Sequence, residues 1–233
     1  LFIVFINLYN NKTIINEKFD NNYPDLFYIN LKHRQDRRKH IEGELKKIDY
    51  PTNKITRIDA TKHESGGTGC GLSHIKALKK GLKSPDDYVI ILEDDFTWKY
   101  DKEKVKSILN KCQNFKEDWN VILLSKNGYS KKYNDYLEKV IDSQTASGYI
   151  IKKTYIPTLL KLWEKNMNIR LKYNISRERS NNGYTDHDTA IDICWKKLQH
   201  DKWYVTKPVL GFQMESYSDI ENGMVNYELF TNY

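Results

Sequence analysis

Tyr88-Val89-Ile90-Ile91-Leu92 runs straight into Glu93-Asp94-Asp95, so an apolar segment ends in three adjacent carboxylates. An apolar run of this length suits a strand covered on both faces, as in a parallel sheet between helices. The acids then stand at its carboxyl end, where open α/β sheets bind ligands. Neighbouring negative charges repel unless a cation or solvent relieves them. Two chemistries fit: a hard divalent ion holding a phosphorylated substrate, or a solvated acidic turn closing a strand.

Three further clusters accompany the acids. Asn30-Leu31-Lys32-His33-Arg34 follows an apolar run and leads into a helix rich in Arg and Lys. Backbone N–H groups and guanidinium forks there suit an anion, although the helix dipole disfavours a basic first turn. Gly66-Gly67-Thr68-Gly69-Cys70-Gly71 opens a helix whose first turns carry Ser73 and His74. Glycines permit close backbone approach and the helix start offers unpaired donors; alternatively Ser73 caps and His74 packs. Tyr184-Thr185-Asp186-His187-Asp188 reads as an N-cap with acids in the first turn. One of those acids can instead project as a general base, or as part of a second metal site.

The elements that must position these groups follow from periodicity. Strands are expected at 26–31, 55–58, 88–92, 121–124 and 146–151, with 203–212 extended. Helices are expected at 41–48, 72–82, 103–112, 156–163 and 186–198. Residues 126–142 and 165–185 read as loops. Strands alternate with helices over about 26–124, the pattern of a mostly parallel sheet. The expected organisation is an apolar segment and linker at 1–24, one domain at 25–220 and a tail at 221–233.

Composition narrows the class. The chain has 233 residues, 39% hydrophobic and 30% charged, with a net charge of +7. That suits a globular α/β unit with anionic partners. The positive residues are dispersed apart from 32–39, which argues against a nucleic-acid footprint. No segment approaches the length of a membrane span. Three cysteines without zinc-type spacing argue against a disulfide framework.

Six stretches in order resemble glycosyltransferase family 25: FYINLKHRQDRRKHIEGEL, RIDATK, GCGLSHIKALKKGL, DDYVIILEDDF, TASGYIIKK and PVLGFQMESYSDI. LSHIKAL followed by LEDD is the specific part. The resemblance implies a single-domain GT-A-like fold, a Rossmann-related sheet flanked by helices. It implies a divalent cation, usually Mn²⁺, and a UDP-sugar donor. Asp95 is then a metal ligand and Glu93 a ligand or ribose contact. Asn30, Leu31, Arg34, Asp59 and Asp94 would face the nucleotide, and Ser73 and His74 the donor sugar. Gln213 and Ser216 match the carboxyl-terminal block. Asp188, with Asp186 second, is the candidate base. The implied acceptor is a hydroxylysine or galactosyl-hydroxylysine of collagen-like protein, with a lipopolysaccharide or other surface glycan as the alternative. A basic nucleic-acid-binding module and a catalytically idle interaction domain are the readings from other classes.

Overall fold

Alternate residues of the central strands bury on opposite faces, and this divides the core in two. Phe27, Ile29, Val89 and Ile91 pack on one side, and Leu26, Tyr28, Ile90 and Leu92 on the other. Each face therefore needs a helical layer, and the chain supplies both. The computed structural model describes residues 23–214, 216–218 and 223–225. Residues 1–22, the apolar segment and most of its linker, and most of the tail lie outside the described residues.

The elements run β1 (Leu26–Asn30), α1 (Gln35–Lys47), β2 (Ile55–Asp59), α2 (Gly66–Gly81), β3 (Tyr88–Glu93), β4 (Phe96–Trp98) and α3 (Lys102–Gln113). They continue with β5 (Val121–Leu123), β6 (Asn127–Lys132), β7 (Leu137–Gln144), β8 (Gly148–Lys152), α4 (Ile156–Tyr173), α5 (Asp186–Thr189) and α6 (Ile191–Cys194). Last come β9 (Trp203–Thr206), β10 (Gly211–Gln213), β11 (Ser216–Ser218) and β12 (Gly223–Val225). One α/β domain results, with an eight-stranded sheet in the order β2-β1-β3-β8-β5-β9-β7-β6. Residues of α1 and α3 cover one face, and α2 and α4 the other.

The sheet is mixed. The third that carries the acids, β2-β1-β3, is parallel, with Asn30 opposite Asp59 and Ile29 opposite Glu93. Antiparallel strands enter at β8 and at the β6–β7 hairpin. That hairpin replaces the loop expected at 126–142. Its strands carry little apolar alternation, and Tyr129 and Ile141 point outward.

Two helices also depart from expectation. The helix expected at 156–163 continues to Tyr173, so the loop begins later. Its buried stripe runs Leu159, Trp163, Met167, Arg170 at helical spacing, and an arginine inside that stripe hides it. The single helix expected at 186–198 is broken at Ala190, whose ψ of 143 is extended. Thr189 Oγ1 is held beside that break, donating to the Thr185 carbonyl and accepting from Arg170 Nη1.

Helix α2 lies tightly against α4. A Cβ on Gly71 would come within 2.3 Å of Met167 Sδ and 3.1 Å of Ile191 Cγ2. Gly71→Ala is therefore expected to cost about 1–3 kcal/mol by overpacking, read from urea denaturation. An unchanged midpoint would mean that the Met167 side chain turns aside without penalty.

Candidate active site

The carboxyl ends of β1, β2 and β3 meet the starts of α1 and α2, and the carboxylates of 93–95 gather there. Asp94 and Asp95 are buried; their side chains are 10% and 9% exposed. Asn30 Nδ2 donates to Asp94 Oδ2 at 2.7 Å. Arg37 Nη1 lies 3.2 Å from Asp94 Oδ1 and 3.1 Å from Asp95 Oδ2. Asp95 Oδ1 is buried with no hydrogen-bond partner among the described residues. The two buried acids share the Arg37 guanidinium. Burial and the Glu93 charge push Asp95 up to about 7, against the pull of Arg37. Burial raises Asp94 too, with Arg37 and Asn30 opposing.

Glu93 behaves differently. Burial works against its charge, but the hydrogen bond and charge of His74 outweigh it and hold the carboxyl below its usual range. Glu93 Oε1 lies 2.9 Å from His74 Nε2. An ionised carboxylate only accepts, so Nε2 carries the proton. His74 Nδ1 meets the Tyr149 hydroxyl at 3.1 Å. Cys70 Sγ donates to Glu93 Oε1 at 3.6 Å, and Gln213 Nε2 to Oε2 at 3.2 Å. Burial, then the Glu93 charge, keeps Cys70 a thiol.

Two cavities adjoin this point. The smaller, about 250 Å³, lies over the ends of β1 and β3 and the start of α2, and its walls include Asn30, Leu31, Arg34, Arg37, Ser73, His74, Asp94 and Asp95. The larger, about 530 Å³, includes Lys126, Thr145, Arg177, Asp186, His187 and Asp192. Cys70, Glu93 and Gln213 line both. Short backbone ties hold the junction: Glu93 N–H donates to the Ser147 carbonyl at 2.8 Å and Met214 N–H to the Asp95 carbonyl at 2.8 Å.

Most residues singled out in the sequence converge here. Ser73 accepts from Thr61 N–H at 2.8 Å and donates to the Gly69 carbonyl at 2.6 Å, so it fixes the 60–63 wall of the smaller cavity. Arg34 lines that cavity while pairing with Asp36 at 2.8 Å. Asp59 stands outside it, exposed and paired with Arg57 at 2.9 Å. Ser216 lies in β11, beyond the described side chains.

The two acids expected as bases take other places. Asp188 is exposed and outside both cavities: Thr185 Oγ1 donates to its Oδ2 at 2.7 Å, and its N–H donates to Thr185 Oγ1 at 3.0 Å. It is the capping partner of a helix start. Asp186 reaches the larger cavity, but its carboxylate pairs with buried Arg170. Asp192, read only as part of a helix, lines that cavity instead. It accepts from Thr145 N–H at 3.1 Å. Burial raises its carboxyl against the Thr145 bond, and the Glu93 charge adds to the rise. Arg37 joins the site as well, and its signal in the sequence is the conflict between a basic first turn and the helix dipole.

The donor set around Asp95 suits a hard divalent cation: carboxylate oxygens, one of them without a hydrogen-bond partner among the described residues. Among the described residues, no helix is long and apolar enough to cross a membrane.

No family model and no curated protein matches the chain. Solved structures similar to it include A197 from STIV, at 13% identity and a TM-score of 0.44, over 87% of this chain and 93% of that one. A glycosyltransferase involved in glycosylation of the major capsid of PBCV-1 matches at 8% identity and 0.43, over 78% and 81%. The glycosyltransferase GlyE of Streptococcus pneumoniae TIGR4 matches at 10% and 0.40, over 78% of this chain and 44% of that one. Likeness at this level is to the broad arrangement of strands and helices and carries nothing about function.

Proposed function

We propose that the chain is a metal-dependent glycosyltransferase that moves a hexose, glucose or galactose, from a UDP-sugar to an acceptor hydroxyl. The observation that supports this best is the Asp95 carboxylate, buried at the end of β3 with one oxygen unpartnered among the described residues, in the wall of a cavity that adjoins a second. Asp95 would hold Mn²⁺ or a similar cation, with Glu93 as a further ligand or ribose contact. The bound cation supplies neutralisation of the departing diphosphate. Asn30, Leu31 and Arg34 would hold the nucleotide in the smaller cavity. Arg37 orients Asp94 and Asp95. His74 and Gln213 fix Glu93 from two sides. The acceptor would enter the larger cavity.

Asp192 takes the role of base, in place of Asp188 and Asp186. It faces the larger cavity, and a raised carboxyl is better matched to accepting a hydroxyl proton near neutral pH. Asp192→Asn is expected to lower transfer by about 10²–10⁴-fold while leaving UDP affinity near that of the wild type. Unchanged transfer would remove Asp192 from the mechanism. A collagen-type hydroxylysine acceptor, or a surface glycan in its place, rests on the sequence resemblance alone. The test of the whole reading is a screen of UDP-glucose and UDP-galactose with Mn²⁺ and with chelator. UDP release that appears only with metal is expected; no release from either donor would count against it.

A further inference from the structure

Cys70 and His74 are four residues apart on α2 and so share a helix face, which turns toward Glu93 at the end of β3. One ligand atom from each, sulfur, nitrogen and oxygen, lies within 4.8 Å of the others, and among the described residues no other such group of three is formed. His74 Nε2 and Cys70 Sγ stand 2.9 Å and 3.6 Å from Glu93 Oε1. In a tetrahedral zinc site with bonds of about 2.0–2.3 Å, neighbouring ligand atoms are roughly 3.4 Å apart. Small side-chain shifts convert one spacing into the other.

We propose that Cys70, His74 and Glu93 form a three-ligand zinc site, distinct in chemistry from the hard-cation set at Asp95. Thiolate with imidazole selects zinc over manganese, magnesium or calcium, which prefer oxygen throughout. The supports that orient ligands are also present. The Tyr149 hydroxyl meets His74 Nδ1 at 3.1 Å and fixes the ring, and Gln213 holds the far oxygen of Glu93. Binding breaks the Cys70 S–H and His74 Nε2–H bonds, passes both protons to buffer and forms the zinc–sulfur and zinc–nitrogen bonds, while His74 Nδ1 keeps its proton beside the Tyr149 hydroxyl. Three protein ligands leave the fourth position open. Cys70 and Glu93 border both cavities, so the ion sits at their junction. Resting on the transferase reading, one consequence follows: zinc draws Glu93 away and inhibits transfer.

The zinc site itself needs neither nucleotide nor Mn²⁺. Its test is a Co²⁺ titration of the whole chain in a phosphine reductant. The expected result is a near-ultraviolet sulfur-to-cobalt band with visible tetrahedral bands, the sulfur band disappearing in Cys70→Ser. Cys112 and Cys194 remain in that variant as internal controls. Absence of the band in the wild type, or its persistence in Cys70→Ser, overturns the proposal. If the variant does not fold, the wild type decides: zinc is expected to suppress iodoacetamide labelling of Cys70, read by peptide mass spectrometry. Equal labelling with and without zinc overturns the site. Loss of Mn²⁺-dependent UDP binding would sink the transferase reading and leave the cobalt result standing.

Discussion

Asp95→Asn is expected to abolish Mn²⁺-dependent UDP binding and to lower transfer by about 10³-fold or more, with the fold intact. Asparagine keeps the volume and removes the charge, so the change isolates electrostatics. The apo protein gives this prediction a second arm. The Asp95 carboxyl sits at about 7 in the folded chain, against an ordinary 3.8, because it is buried beside Glu93. Its neutral form is therefore the one the fold prefers. That preference contributes fully below the unfolded value and is lost as pH rises from about 4 through about 7. Without metal, Asp95→Asn is thus expected to melt at or above the wild type near pH 8, with a smaller difference near pH 5. Added Mn²⁺ should raise the melting temperature of the wild type and leave the variant unmoved. A variant that melts lower than the wild type at pH 8 without metal would show that the Arg37 ion pair outweighs burial, contrary to this account.

Arg170→Ala should produce the largest loss of stability. The side chain is fully buried, and its guanidinium serves five acceptors across two parts of the chain. Nε donates to Thr68 Oγ1 and Nη2 to Ser65 Oγ, each at 2.9 Å, at the start of α2. Nη1 donates to the Asp186 carbonyl and to Thr189 Oγ1, each at 2.9 Å, and Nη2 pairs with the Asp186 carboxylate. Truncation leaves a cavity, orphaned hydroxyls and a half-buried unpaired acid. Removing one partner of a buried pair typically costs about 3–5 kcal/mol. Urea denaturation measures it; a loss below about 1 kcal/mol, the range of a surface pair, would mean that this hub is solvated and replaceable. The same contacts anchor the 185–189 wall of the larger cavity, so acceptor use should suffer more than UDP binding.

How much was legible in the sequence follows from these same residues. The run into Glu93-Asp94-Asp95 and the Gly-rich start of α2 were visible, because strand and helix periodicities there are clean and the polar groups break them abruptly. Asn30, Ser73 and His74 follow as soon as those elements are placed, whereas Gln213 is reached only through the family resemblance. Asp186 and Asp188 carry the chemistry of a base, but Asp188 bonds the N-cap Thr185 and Asp186 pairs with Arg170, and residue type alone does not separate these uses. The partner of Asp186 is Arg170, an arginine in an apolar stripe whose burial no local pattern announces. Asp192 was concealed for the converse reason: flanked by Ile191 and Ile193, it reads as the outer face of a helix until Ala190 re-aims the backbone. The β6–β7 hairpin escaped because its exposed apolar residues spoil the alternation that marks a half-buried strand.

Calorimetric titration of UDP into the chain, with Mn²⁺ and again after chelation, is the most direct measurement. Saturable binding with the metal and none after chelation is the predicted result. Binding of equal affinity in both conditions would contradict a cation held by Asp95 between protein and diphosphate.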